Sequence, residues 1–233
     1  MRNIRLRAFS LRIDAELNKV VSMLNSASFS IEYGSGVESI GDELGIQAFK
    51  YHQQNEVIDN IIDVYGDSQQ NFYLQYINFK FYLVGQSDGA YQVFIESPPK
   101  GLRQFVSTLR RAFSMAFSFD AVKLNVYDWY KRFQSFPGIT RVRILKAQSS
   151  VMNINTESSF RIAVESSADA IAQMENIVAG RRLSLDRLKL SFFFKNNERV
   201  IELSSSFSLA LAGWGAVDSL NFIMSVTSFE LTG

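Results

Sequence analysis

Two short stretches that recur in the chain decide its predicted fold. Residues 93–97 read Val-Phe-Ile-Glu-Ser, and residues 118–124 read Ser-Phe-Asp-Ala-Val-Lys-Leu. Their counterparts are Ile-Ala-Val-Glu-Ser at 162–166 and Ser-Leu-Asp-Arg-Leu-Lys-Leu at 184–190. In both copies the order is strand, Glu-Ser, helix, and then Ser-x-Asp-x-x-Lys-Leu entering a strand. A weak internal repeat and chance similarity both explain this pattern. The fold predicted below assumes that the repeat is real.

The predicted fold class is α+β. Between the two parts of the first copy, apolar residues at helical spacing predict a helix over 102–116. A strand, a helix and a further strand in this order are typical of a βαβ unit. Hairpins are predicted from residues 72–84 with 91–96, and from 188–194 with 199–205. We therefore expect two ferredoxin-like or related halves, each with a βαβ unit and a hairpin, related by the weak repeat.

The best candidate for a boundary between the halves is Pro137-Gly138, which divides the chain into residues 1–137 and 138–233. Two further elements bear on the candidate sites. The apolar spacing of residues 54–65 predicts a second amphipathic helix, and the alternation in residues 122–127 predicts a strand.

Composition excludes several kinds of chemistry. The 233 residues include no cysteine and a single histidine, His52, and their net charge is +1. Disulfide frameworks, iron–sulfur sites, cysteine nucleophiles and sites with two histidines within one chain are thereby excluded. We expect no cofactor. The longest uncharged stretch, residues 203–217, is too short and too rich in small residues for a membrane span. The prediction is a cytoplasmic protein without a membrane partner.

The small net charge hides a strong asymmetry along the chain. Residues 1–70 have a net charge of −4, residues 71–150 a net charge of +7, and residues 151–233 a net charge of −2. Such segregation inside a nearly neutral chain indicates an anionic partner. Within the basic segment, cations alternate with aromatic residues. Cations neutralise phosphates and flat rings stack on bases, so the mixture is typical of surfaces that bind single-stranded nucleic acid.

The leading hypothesis is therefore a non-catalytic subunit that binds RNA or single-stranded DNA. The cations and tyrosines that would form its basic and aromatic surface are Arg103, Arg110, Arg111, Lys123, Tyr127, Tyr130, Lys131, Arg132, Arg141 and Arg143. If residues 122–127 form a strand, Lys123 and Tyr127 share one of its faces. For each residue taken singly, the alternative is a solvated charge or a core ring.

A second hypothesis is a protein-interaction subunit of a multi-component assembly, which binds an acidic protein or another copy of itself. The 20 phenylalanines and the apolar, small-residue segment around Trp214 suggest surface that could be buried at an interface. By analogy, small accessory subunits of this kind occur in prokaryotic antiviral systems.

A third hypothesis is a magnesium-dependent nuclease. Glu56, Asp59 and Asp63 share one face if residues 54–65 are helical, and clustered carboxylates can bind magnesium. The same pattern is typical of the solvated side of an amphipathic helix. No set of nucleophile, base and oxyanion donors emerges from the sequence, so a binding protein is expected in preference to an enzyme.

Overall fold

The chain folds into two compact units that share its first strand. The structure, a computed structural model, describes residues 3–43, 45–62, 64–87, 89–150, 152–153, 159–167, 169–178 and 184–227. The N-terminal unit is Phe9–Asp120, and the C-terminal unit combines Met1–Ala8 with Ala121–Gly233. Strand β1, Asn3–Ile13, contributes its first residues to the C-terminal unit and its remaining residues to the N-terminal unit.

The N-terminal unit packs helices against an antiparallel sheet. Its strand order is β6-β1-β5-β4-β3-β2. The elements that follow β1 are α1 (Leu17–Ser26), β2 (Ser35–Glu43), β3 (Ile46–Ile62), β4 (Ser68–Ser87), β5 (Ala90–Glu96), α2 (Arg103–Phe113) and β6 (Phe117–Ala121). The predicted hairpin over 72–84 and 91–96 and the predicted helix over 102–116 are confirmed as β4–β5 and α2.

The C-terminal unit is also α+β, with strand order β10-β7-β11-β12-β13-β1. Its elements are α3 (Val126–Ser135), β7 (Ile139–Ser149), β8 (Met152–Asn153), β9 (Ser159–Phe160), β10 (Ala163–Glu165), α4 (Ala170–Val178), β11 (Leu185–Phe194), β12 (Asn197–Ser204), β13 (Ser208–Ala212) and α5 (Ala216–Thr227). Strands β8 and β9 pair separately. The predicted hairpin around residues 195–197 is confirmed as β11–β12. Pro137-Gly138 lies inside this unit, because α3 packs on β7 and β11.

Each copy of the sequence pattern forms a strand, a helix and a second strand. In the sheet, a third strand lies between these two strands. Strands β10 and β11 each pair antiparallel with β7, so they run parallel to each other with β7 between them. In the N-terminal unit, β5 and β6 both pair with β1. The backbone N–H of Ile13 donates to Gly89 O (2.9 Å), which places the end of β1 beside the start of β5.

Two of the predicted elements are wrong. Residues 54–62 continue strand β3 and pair with β4, although their apolar spacing fits a helix. The segment is rich in β-branched side chains, which favour strands, and a paired neighbour overrides weak helical periodicity. The predicted strand over 122–127 is also wrong, because α3 begins at Val126. The Asn125 side chain accepts hydrogen bonds from the backbone N–H groups of Tyr127 (3.2 Å) and Asp128 (3.3 Å), which fixes the start of the helix.

Aromatic side chains dominate both cores. In the N-terminal unit the Phe105 ring of α2 meets Tyr51 and Phe81 edge-on at centroid distances of 5.2 Å each. In the C-terminal unit Phe192 of β11 contacts Phe133 of α3 and Phe222 of α5, at 4.9 and 5.7 Å. In each unit these rings fill the core between the sheet and the helices that pack on one of its faces.

Candidate nucleic-acid interface

The three predicted arginines of helix α2 belong to the N-terminal unit and differ in exposure and in their contacts. Arg103 and Arg110 are exposed. Arg111 is half-buried, its guanidinium donates to the backbone carbonyl of Ser35 (2.8 Å), and it lies over the Tyr33 ring at 4.2 Å. A guanidinium held in this way joins α2 to the start of β2 and to the Tyr33 ring just before it, so Arg111 is a structural residue as well as a candidate contact.

Helix α3 separates the predicted aromatic and basic cluster into a buried and an exposed side. Trp129 and Phe133 stack on each other at 4.8 Å in the core. Lys131 is exposed and its Nζ lies over the half-buried Tyr127 ring at 4.6 Å, as expected for residues four apart in a helix. Arg132 is exposed, and Lys123 is exposed in the loop before the helix. Lys123 and Tyr127 therefore do not share a strand face.

The Tyr130 ring is buried on the core side of α3. Its side chain is only 9% exposed, on the face of α3 that meets the core. Burial, followed by the charge of Asp169, raises the pKa of Tyr130 to about 12. Gln134 Nε2 lies 2.6 Å from its hydroxyl oxygen and donates to it. Tyr130 stays a predicted nucleic-acid contact, although its ring points toward the core at its helical position.

Strand β7 carries the last two predicted cations, both exposed. Arg143 Nη2 forms an ion pair with Glu198 Oε1 of β12 (2.6 Å). Arg141 has a positive φ of 53° at a register shift between β7 and β11, and its guanidinium lies over the Phe193 ring at 5.2 Å. Both side chains are thus held next to β11, where further cations lie.

The side of the C-terminal sheet opposite its helices is lined with charges. We call it the charged face, and it is defined by residues that occupy successive strands in register. Leu188, Leu190 and Phe192 of β11 are buried on the helix side, so the alternating residues Arg187, Lys189 and Ser191 point to the charged face. The cations that this alternation and the register place there are Arg5, Arg7, Arg143, Lys146, Arg187 and Lys189, and the carboxylates are Glu165, Glu198 and Glu202.

One row of the register crosses the whole charged face. Glu165 lies opposite Lys146, Lys146 opposite Lys189, and Lys189 opposite Glu202. Beyond Glu202 the row continues through Ala210 to Arg5. All three carboxylates named for this face form ion pairs. Besides Arg143–Glu198, these are Lys146–Glu165 at 2.5 Å and Arg187–Glu202 at 3.4 Å.

Arg5 and Lys189 make no ion pair in the part of the chain that the structure describes. A hydrogen bond from Lys146 holds the pKa of Glu165 below its ordinary value, with a smaller contribution from Lys189. The free cations of the row are therefore the ones best placed to bind an anion from solution, because they need not give up a partner first.

A polar recess of about 170 Å³ opens in the charged face beside Arg5 and Arg187. Ser204, Ser208 and the carboxylate-bearing Glu202 also line it. Two guanidinium groups and two hydroxyls supply the donors that phosphate oxygens accept from. Arg5, Lys146, Arg187 and Lys189 are not among the residues predicted from the sequence. The alternation in each strand was visible, but it does not show which strands are neighbours.

The proposed magnesium site loses its basis in the fold. Glu56 and Asp59 lie on opposite faces of β3, because they are an odd number of residues apart in a strand. Asp63 lies outside the described residues. Across the described ranges, no group of three or more His, Cys, Asp or Glu side chains could hold a metal ion.

His52 of β3 lies between two oxygen atoms. Its Nδ1 is 2.8 Å from Asn78 Oδ1, and its Nε2 is 3.2 Å from Glu38 Oε2. These contacts join β3 to β4 and β2, and they involve no candidate nucleophile. Trp214, which suggested an interface, packs against Phe222 at 4.7 Å and Phe194 at 5.9 Å on the helix side of the C-terminal sheet.

Comparison with known proteins adds no assignment: no protein-family model and no curated protein matches the chain. Of the helices in the described ranges, none combines the length and apolar character needed to cross a membrane.

Proposed function

We propose that the protein binds RNA or single-stranded DNA without catalysis, through the charged face of its C-terminal unit. The observation that carries the proposal is the row of cations across β1, β7 and β11, with Arg5 and Lys189 unpaired among the described residues. Lys146 and Lys189 lie on adjacent strands, which are about 4.8 Å apart, and Arg5 lies three strands beyond Lys189, so these cations can contact phosphates at intervals along a nucleic-acid backbone.

The residues predicted from the sequence differ in how much they support this proposal. Arg141 and Arg143 lie at or beside the charged face, and the stacked pair of Arg141 and Phe193 is its aromatic component. Arg103 and Arg110 lie on the N-terminal unit, so the proposal does not rest on them. Lys123, Tyr127, Lys131 and Arg132 stay predictions of the sequence pattern.

The test is a titration of fluorescein-labelled single-stranded RNA and DNA, followed by fluorescence anisotropy at several salt concentrations. For the Arg5→Glu/Lys189→Glu variant we expect binding to weaken at least about tenfold at low salt. The slope of log affinity against log salt should fall by about 1.4, as two phosphate contacts are lost. The matched control is Lys19→Glu/Lys100→Glu, which makes the same charge change at exposed positions of the N-terminal unit.

Two outcomes would overturn the proposal. One is the absence of binding by the wild-type chain at low salt. The other is an equal loss of affinity in the variant and in the control, which would indicate a response to net charge alone. A third variant, Arg103→Glu/Arg110→Glu, tests in the same titration whether helix α2 contributes to binding.

We also infer a relation of both units to ferredoxin-like halves, as the repeat predicts. The order β6-β1-β5-β4, with helices after β1 and β5, supports this for the N-terminal unit, and β2 and β3 would then be additions. In the C-terminal unit the supporting feature is β10-β7-β11 with α4. A cytoplasmic location and membership of a larger assembly stay predictions.

A further inference from the structure

The hairpin of β3 and β4 extends past the strands on either side of it. Strand β2 pairs with β3 only as far as Gln53, and β5 pairs with β4 only from Phe81 onward. Residues 54–62 nevertheless stay in register with residues 68–76. We call residues 54–62 and 64–76 the arm. A hairpin of two strands is marginally stable in water by itself, so a long arm of this kind needs something to support it.

Large apolar side chains of the arm are exposed. Ile58 lies opposite Phe72, and they are 55% and 71% exposed. Leu74 and Tyr76 follow on the same face of β4, at 49% and 58% exposure. Exposed apolar residues are ordinary when they are scattered, but a contiguous group usually marks an interaction surface.

The two outer edges of the arm differ in charge. The edge of β3 carries Glu56 and Asp59, and Asp59 hydrogen bonds to Tyr73, which raises the pKa of that tyrosine. The edge of β4 has no charged residue and no proline from Ser68 to Phe79, and its first charge is Lys80. Natural proteins protect free strand edges with charges, prolines or bulges. The regular register of β4 against β3 shows no bulge over these residues.

We propose that the arm pairs with the arm of a second copy of this chain, through the β4 edges in antiparallel orientation. An uncharged edge is complementary to itself, because no like charges meet across a two-fold axis. Pairing through the β3 edges would bring carboxylates of the two copies together. Pairing through β4 leaves those carboxylates on the outside and satisfies the backbone groups of the free edge.

The proposal does not depend on the proposed nucleic-acid binding, and its first test is made on nuclease-treated protein. Sedimentation velocity over a range of protein concentrations should show a dimer that dissociates on dilution. In Asn71→Lys/Gln75→Lys, two like charges from each copy meet on the uncharged edge, so we expect a monomer at the same concentrations. The matched control Asn55→Lys/Asn60→Lys makes the same charge change on β3 and should remain a dimer.

A cysteine scan locates the axis of the pair. Because the chain has no cysteine, a disulfide formed by a single introduced cysteine must join two copies. Cysteine is introduced in turn at each residue from 68 to 79, with Asn60→Cys as the control on β3. We expect efficient cross-linking at one of these positions and at most its near neighbours, since a disulfide requires Cα atoms within about 7 Å.

The proposal is overturned by a wild-type chain that stays monomeric at every concentration. It is also overturned by a dimer that survives the β4 variant but is lost in the β3 control, or by cross-linking confined to Asn60→Cys. The variants are compared by near-ultraviolet circular dichroism, and because the scan reads proximity directly, it decides the question even if a lysine variant misfolds.

Discussion

The same two strands, β3 and β4, run through a covered region and an uncovered one. Near their paired neighbours, Phe49 and Phe81 stack at 5.1 Å and are almost completely buried beneath α2. Farther along, Ile58 and Phe72 lie opposite each other in the same ladder and are exposed. The side-chain types are alike in both regions. Neighbouring elements therefore decide which apolar residues form a core and which remain available for a partner.

The largest effect that tests this comparison is expected in the covered region. Phe81→Ala removes a ring that contacts both Phe49 and Phe105, and it leaves a cavity in a packed core. We expect the free energy of unfolding to fall by about 3–5 kcal/mol. Urea denaturation followed by circular dichroism measures this. A loss below about 1 kcal/mol would show that this part of the core is loosely packed.

A pH titration of stability tests whether the Tyr130 side chain is buried like the rings of the covered region. Its folded pKa, about 12, is above the ordinary value of 10 for a tyrosine. Its contribution to stability is therefore complete below pH 10 and is lost as the pH rises toward 12, a loss of about 2–3 kcal/mol.

Tyr130→Phe should remove this alkaline dependence from the unfolding free energy. Gln134→Ala is the control, because it removes the hydrogen bond to the tyrosine but leaves the ionisable group. Equal pH dependence in the wild-type chain and Tyr130→Phe would contradict the burial of this hydroxyl.

Gly36 tests how closely the covered region is packed at its edge. A Cβ at this position of β2 would lie 2.1 Å from the backbone N of Phe29, closer than atoms approach in folded proteins. We expect Gly36→Ala to lower the free energy of unfolding by about 1–3 kcal/mol, because backbone must move. Gly85→Ala is the comparison, since its Cβ would meet only the Tyr91 ring at 3.9 Å. A larger loss for Gly85→Ala would contradict this account.

The smallest effect on stability is expected in the arm. Phe72→Ala should change the free energy of unfolding of the monomer by less than about 0.5 kcal/mol, because its ring is exposed. The measurement is made at a concentration at which the chain is monomeric. A loss comparable to that of Phe81→Ala would show that the arm is packed against other residues, and the comparison between the two regions would fail.

The elements with a clear local signal could be predicted from the sequence. Helix α2 has Phe105, Leu109 and Phe113 at spacings of four, and the β4–β5 and β11–β12 hairpins have strong strands beside short turns. Residues 54–62 could not be predicted, since Val57, Ile58, Ile61 and Ile62 fit a helical stripe equally well. Only pairing with β4 distinguishes the two.

The candidate site was predictable one strand at a time. Arg187 and Lys189 alternate with buried leucines in the sequence, and so do Arg5 and Arg7 with Ile4 and Leu6. That Lys189 has Lys146 on one side and Glu202 on the other follows from the strand order, which local patterns do not contain. The burial of Tyr130 could not be read from its neighbours in the sequence, because Lys131 and Arg132 are basic while its own position on α3 faces the core.

The sharing of β1 between the two units has a consequence for synthesis on the ribosome. The N-terminal unit can complete its sheet once residues up to about 121 have emerged. The pairing of Ile4 with Leu211 and of Leu6 with Leu209 can form only after β13 has been synthesised. Domains otherwise tend to fold in the order of their synthesis. Residues 4–6 are therefore synthesised long before their partner strand β13, and closing a loop of this length slows the step of folding that joins them.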